Sequence, residues 1–247
     1  MIEKEIDIKM ADGTCDAVLY QAEDGRKRPG VIHLPDIIGI RPSHRAMAQR
    51  LAEQGYTVLL PNPFYRTARS PVFDFAPNFA GDPRTMQRFG QLAGPLTPEV
   101  MERDAASYVN FLATQKSVSD AMMGVVGYCF TGAMALRTAA ARPDRIGAVG
   151  SFHGGGLFTD KPTSPHLVLP RVKAQLYFGH AVKDNSMPQE AIDKLNAALK
   201  AWGGKCESEV YEDALHGWTV SDSAAYNKPQ AERAFGKLSA LFAATLK

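Results

Sequence analysis

The sequence predicts an α/β fold: one domain over residues 1–247, with a mostly parallel central sheet and helices on both faces. Three observations lead there. Short apolar runs bounded by Gly, Pro and Asp recur at Gly30–Leu34, Thr57–Leu60, Met122–Val126, Ile146–Ser151 and Ala174–Phe178. Runs of this length without alternation are the mark of strands buried on both faces. Helical patterns separate them, so strand and helix alternate along the chain, as a parallel sheet with crossover helices requires. The composition is ordinary for a folded domain, with 45% hydrophobic and 22% charged residues in 247.

The N-terminal Ile2–Lys9 alternates Ile2, Ile6 and Ile8 with charge, the period of an exposed or edge strand. It has no apolar core and no small-residue cleavage site, so it does not read as a secretory signal. The first helix is expected over Ser43–Gln54, opened by a Ser-type cap and closed by Gly55. Pro61–Pro95 is read as a long irregular loop, with six prolines and several aromatic residues, leaving the carboxyl end of a strand where open α/β sheets bind ligands. A helix over Pro98–Thr114 follows, with Thr97 as N-cap and Pro98 at its first position. Phe130–Ala141 is an alanine-rich helix, Pro188–Trp202 another that stops at Gly203-Gly204, Ser208–Tyr211 a last strand, and Ala224–Leu246 a terminal helix.

Charge and cysteine content narrow the function classes. Lys plus Arg is 28 and Asp plus Glu is 26, a net charge of +2. That balance provides no global field for nucleic acid or an anionic membrane, and no stretch reaches the roughly 20 apolar residues of a membrane span. Cys15, Cys129 and Cys206 form neither a disulfide framework nor a zinc knuckle. Reduced thiols in a cytoplasmic protein are expected, with no metal and no organic cofactor.

The strongest local signal is Val125-Val126-Gly127-Tyr128-Cys129-Phe130-Thr131-Gly132-Ala133. An apolar strand ends in Gly127, Cys129 follows one residue later, and a small-residue helix begins, which is the layout of a nucleophile elbow. The sharp turn demands small neighbours, and the helix N-terminus favours thiolate over thiol. The plain alternative is a buried structural cysteine. A nucleophilic thiol needs a base, and of the six histidines only His216 has a suggestive position, in the loop of Tyr211-Glu-Asp-Ala-Leu-His-Gly-Trp218 ahead of the terminal helix. That is where an α/β-hydrolase, in the chain order nucleophile, acid, base, carries its histidine. The acid is expected after the preceding strand, at Asp184, where a carboxylate can fix the imidazole tautomer; the alternative is that Asp184 merely caps the next helix. Asp213 competes and ranks lower, because a residue three positions from His216 rarely reaches the same imidazole nitrogen.

Gly127-Tyr-Cys-Phe130, Asp184-x-x-Met-Pro188 and Tyr211…His216-Gly-Trp218, with Tyr226 and an Ala/Glu/Arg-rich terminal helix, resemble the dienelactone hydrolase family from about Gly30 to the C-terminus. The resemblance implies an α/β-hydrolase fold without a separate cap domain and a Cys129–His216–Asp184 triad. It also implies an oxyanion hole built from the backbone N–H groups of Phe130 and Ile37. Three departures accompany it. Asp36 stands where the family has Glu, an acid that tunes the resting thiol. Thr131 stands beside the elbow where Gly is usual. Val220 occupies the position of an Arg that grips the substrate carboxylate; Arg84 and Arg88 in the long loop are candidates to replace it, with surface arginines the plainer reading, and Trp218 is a further substrate-binding candidate. The expected activity is hydrolysis of carboxylic esters or lactones through an acyl thioester. Thioesterase or general carboxylesterase chemistry on the same triad, an idle ligand-binding fold, and a redox-sensing thiol are the alternatives.

Overall fold

The computed structural model describes residues 1–247. The chain opens with an antiparallel hairpin, β1 (Ile2–Met10) and β2 (Gly13–Gln21). It continues as β3 (Gly30–Leu34), α1 (Pro42–Glu53), β4 (Thr57–Pro61), α2 (Pro83–Ala93), α3 (Pro98–Ala113), β5 (Met123–Tyr128), α4 (Thr131–Ala141) and β6 (Ile146–Phe152). A 3₁₀ segment (Pro165–Arg171), β7 (Gln175–Lys183), α5 (Gln189–Trp202), β8 (Cys206–Leu215) and α6 (Lys228–Thr245) complete it. The eight strands form one sheet in the order β1-β2-β4-β3-β5-β6-β7-β8. β1 and β2 are antiparallel to their neighbours, and every pairing from β4 through β8 is parallel.

The unalternating strands are the inner ones: every residue of β3, β4 and β5 is buried. Successive residues feed opposite layers, as a pleated strand must. Ile32 and Val125 join the core under α3, α4 and α5, while Val31 and Val126 join the core under α1 and α6. From β3 the chain crosses to β4 on one side, then returns to β5 on the other. The carboxyl ends of β3 and β5 therefore flank a topological switch point, where connecting loops part and leave a crevice.

Four expectations change. α1 begins at Pro42 with Arg41 as an extended N-cap residue lacking a side-chain cap, so Ser43 lies inside the helix and caps nothing. The stretch 61–95 is not wholly irregular, because α2 starts inside it: Asp82 accepts the Arg84 N–H at 3.0 Å and Pro83 takes the first turn, a start signal present in the sequence. The terminal helix begins at Lys228 rather than Ala224, with Asn227 accepting the Gln230 N–H. Pro229 imposes that start, since proline is tolerated in a first turn and not in a helix interior. β2 is a strand beyond those the sequence predicts; Asp12-Gly13 is its hairpin signal. No helix is long and apolar enough to cross a membrane.

Candidate active site

Cys129 sits between β5 and α4 with φ 56°, in the left-handed region that side-chain-bearing residues enter only when their surroundings impose it. The surroundings here leave no slack. A Cβ on Gly127 would lie 2.2 Å from the Thr131 carbonyl oxygen, and one on Gly132 would lie 2.5 Å from Ser151 Oγ. Thr131 does not crowd this turn; it fastens it. Its hydroxyl accepts the Tyr128 N–H at 3.0 Å and donates to the Leu34 carbonyl at 3.1 Å. Leu34 ends β3 and pairs with Gly127, so the hydroxyl also ties the elbow to the loop that follows β3.

That loop runs from Asp36 to Gly39. The N–H groups of Ile37 and Phe130 donate to no acceptor in the chain, whereas the Cys129 N–H is taken by the Phe152 carbonyl and by His153 Nδ1, both at 3.1 Å. Two undirected amides on loops that leave adjacent strand ends have the character of an oxyanion hole.

Asp184 follows β7, and His216 follows β8, its neighbour in the sheet. Asp184 Oδ2 accepts from His216 Nδ1 at 2.6 Å. The other carboxylate oxygen accepts the backbone N–H of Ser186 at 2.8 Å and its hydroxyl at 2.6 Å. The Asp184 side chain is 3% exposed and the His216 ring 34%, so the carboxylate is sealed while the ring keeps an open edge. Burial alone would lower the His216 pKa, but Asp184 on one side and the Cys129 sulfur on the other push it up to about 10. Burial also works against the Asp184 carboxylate, yet His216 and Ser186 hold it below the usual range. Asp213, the competing acid, makes no hydrogen bond to His216; it occupies a left-handed turn at φ 57°.

Asp36 is not aimed at the thiol. Its carboxylate receives both Nη groups of Arg41, at 2.7 and 2.8 Å, and the Ile38 N–H at 2.9 Å, with His44 Nε2 at 3.3 Å. With both oxygens so engaged, Asp36 is an anchor of its own loop. Burial opposes its charge, but His44 and Arg41 outweigh burial and hold it far below the usual carboxylate range. Trp218 is fully buried, packed against Tyr211 and His153, so it offers substrate no surface. Val220 is fully buried as well. Arg84 lies 3.6 Å over the Phe75 ring, and Arg88 donates to the Val72 carbonyl and to Gln91. They line a groove with Pro71, Asp74, Phe75, Gln87 and Gln91 that contains neither Cys129 nor His216. α2 approaches the elbow through another residue: Phe89 packs edge-to-face on Phe130, which also meets Phe64.

His153, Ser186 and Arg41 also belong to the site, although their partners are distant or unmarked in the sequence. His153 is buried, strained at φ 39°, and kept neutral by burial and by His216 beside it. With Nδ1 accepting from Cys129, its Nε2–H donates to Thr219 at 2.8 Å, which links the elbow to the His216 loop. His153-Gly154-Gly155 at the end of a buried strand is the one sequence signal that pointed there.

The dienelactone hydrolase family model matches residues 15–246. A carboxymethylenebutenolidase of Rhodococcus opacus is 30% identical over 201 residues, covering 80% of this chain and 73% of that one. The crystal structure of a dienelactone hydrolase-like promiscuous phosphotriesterase from metagenomic libraries superposes with a TM-score of 0.84 at 19% identity, covering 100% of this chain and 99% of the other. A dienelactone hydrolase from Anabaena variabilis superposes with a TM-score of 0.70 at 17% identity over the same shares of the two chains. At these identities the structural likeness is one of fold.

Proposed function

The chain belongs to the dienelactone hydrolase family and is a hydrolase; from the geometry at the ends of β5, β7 and β8 we propose that it cleaves carboxylic esters or lactones with Cys129 as nucleophile, His216 as base and Asp184 as orienting acid. The observation that carries this reading is the 2.6 Å contact from His216 Nδ1 to a sealed Asp184, on a ring whose other neighbour is the sulfur of the strained elbow.

The chemistry follows from those positions. Asp184 fixes the imidazole tautomer and stabilises its cation. A protonated His216 beside Cys129 favours the thiolate, the form that attacks carbonyl carbon. As the S–C bond forms, the carbonyl oxygen gains negative charge, and the amides of Ile37 and Phe130 donate to it; each such donor is worth about 3–4 kcal/mol in related sites. Collapse expels the alkoxide, which takes the His216 proton, and leaves an acyl thioester. Water then gives a proton to His216, attacks the thioester, and releases acid and thiolate.

The Rhodococcus relative carries the name of an enzyme for a carboxymethylene-substituted butenolide, which is a lactone. Here Val220 is buried and Arg84 and Arg88 of α2 line a separate groove, while Phe130, Phe64 and Phe89 gather beside the elbow. The substrate is accordingly an ester or lactone held by apolar contact, without a required carboxylate. A panel of lactones, aryl esters and acyl thioesters, each with and without a carboxylate, tests the substrate class. Equal turnover of charged and uncharged members supports it, and strict dependence on the carboxylate refutes it. Cys129→Ala tests the mechanism: undiminished hydrolysis by that variant overturns it.

A further inference from the structure

Arg41 makes two forks at once. Its Nη1 and Nη2 donate to the two oxygens of Asp36 at 2.7 and 2.8 Å, and its Nε and Nη2 donate to the two oxygens of Asp222 at 2.8 and 3.0 Å. The Arg41 side chain is 14% exposed, that of Asp36 10% and that of Asp222 44%, so the inner fork is shielded from water and the outer one opens to it. Planar bidentate pairs of this kind fix orientation as well as distance.

The two carboxylates belong to different loops. Asp36 immediately precedes Ile37, whose amide is one proposed oxyanion donor. The turn around it closes on itself: the Gly39 N–H donates to the Asp36 carbonyl at 2.9 Å, and Arg41 Nη1 donates to the Gly39 carbonyl at 3.2 Å. Asp222 lies six residues beyond His216, in the same connection between β8 and α6. That connection is held elsewhere by its own turns and, through Thr219 and His153, by the elbow. His153 thus joins the base loop to the strand end that carries the Phe130 amide. Arg41 joins the base loop to the strand end that carries the Ile37 amide.

We propose that Arg41 is a positioning residue that locks the Ile37 oxyanion amide to the His216 loop by spanning Asp36 and Asp222. This rests on the triad reading above. It assigns the acid at 36 to geometry rather than to control of the thiol. Its consequence is specific: loosening the clamp misplaces one oxyanion donor and leaves the thiol and its base as they were.

Two reactions of Cys129 separate these effects. Ester hydrolysis passes through a tetrahedral oxyanion. Alkylation by iodoacetamide does not; the sulfur displaces iodide as the S–C bond forms and the C–I bond breaks. Arg41→Ala should lower kcat on an aryl ester about 100-fold, and Asp222→Asn about tenfold, the scale of ångström-level misplacement. KM should stay within about twofold, and the alkylation rate and its pH profile should match the parent protein. Arg41→Lys, which keeps the charge beside Asp36 but cannot fork to both acids, should fall between the two. Because Arg41→Ala strands a buried carboxylate, Asp222→Asn, altered at the half-exposed end, keeps the test independent of folding. Unchanged kcat in Asp222→Asn and Arg41→Lys overturns the clamp, as does an alkylation rate that falls in parallel with kcat. Cys129→Ala run alongside separates the two claims: if it is inactive and the clamp variants are fully active, the clamp alone fails. If it retains turnover, the triad reading fails and the clamp with it.

Discussion

Asp184 lies 2.6 Å from His216, and Asp36 lies 3.3 Å from His44, so the same end of one sheet holds two aspartate–histidine pairs, the first between the loops after β7 and β8 and the second between the loop after β3 and helix α1. Their surroundings differ. The His216 ring is 34% exposed and has the Cys129 sulfur among the groups that raise its pKa, whereas His44 is wholly buried, with Nδ1 2.9 Å from His33 Nε2 and its ring against Tyr128. Asp184 spends its remaining capacity on Ser186, which keeps it aimed at the ring, while Asp36 is claimed by Arg41. An acid beside an imidazole is therefore not by itself a catalytic device. In the proposed mechanism it becomes one where the ring has an open edge and a thiol beside it. Where burial and a guanidinium take those places, the same pair is a fastener.

The largest expected effect breaks the comparison if it fails. His216→Ala and Cys129→Ala should each lower kcat/KM by on the order of 10⁴-fold or more, and Asp184→Asn by about 10³–10⁴-fold, the range seen when one member of such a triad is removed. His44→Gln should cost less than about tenfold in kcat/KM, yet lower unfolding free energy by about 1–3 kcal/mol, because it disturbs a buried polar group. Steady-state kinetics paired with urea melts reads both. A His44→Gln defect as deep as that of His216→Ala would erase the distinction.

A second expectation concerns the turn that sets the Cys129 sulfur beside His216. Gly127→Ala places a Cβ 2.2 Å from the Thr131 carbonyl oxygen. Thermal unfolding should register a loss of about 3 kcal/mol or more, the upper end of overpacking costs, and iodoacetamide should no longer prefer Cys129 to the other thiols. Retained selectivity would mean that the elbow tolerates relaxation.

The smallest effect is a titration. His216 is raised to about 10, so its pairing with Asp184 and Cys129 stabilises the fold fully below the unfolded value near 6.5 and loses that contribution as pH climbs through about 10. Imidazole NMR should find His216 protonated at neutral pH and titrating near 10, and in Cys129→Ala the midpoint should move down. His33 and His153, held well below the ordinary value by burial and by a neighbouring histidine, should stay neutral across the same range. A His216 midpoint unmoved by Cys129→Ala would show that the sulfur contributes nothing to its charge.

The parts of the fold legible in the sequence are those with a local cause. β3, β4 and β5 announce themselves as short, mostly apolar runs without alternation, and α3 by Thr97-Pro98, where the Thr97 hydroxyl does accept the Val100 N–H. The elbow is also local, since Gly127 and Gly132 are required within a few bonds of Cys129. The start of α2 at Asp82-Pro83 is masked by the prolines and aromatics around it, and the start of α6 is set by Pro229 rather than by the helical pattern that begins at Ala224. Trp218 stands two positions from His216 and is a substrate-binding candidate from the sequence, yet the chain turns between them and buries the ring. Arg41 looked like nothing at all, since its partners lie 5 and 181 residues away.

By itself, then, the sequence determined the alternation of buried strands and helices, the strained turn at Cys129, and the chain order that places His216 after the last strand. Each follows from periodicity or from steric demands within one turn. Only the tertiary structure decided which polar groups answer one another: Asp184 to His216, His153 to the elbow, and Asp36 to Arg41 rather than to the thiol. The physical reason is that a buried charge or donor must find its partner in space, and which partner is near depends on where the strands of one parallel sheet bring their carboxyl ends.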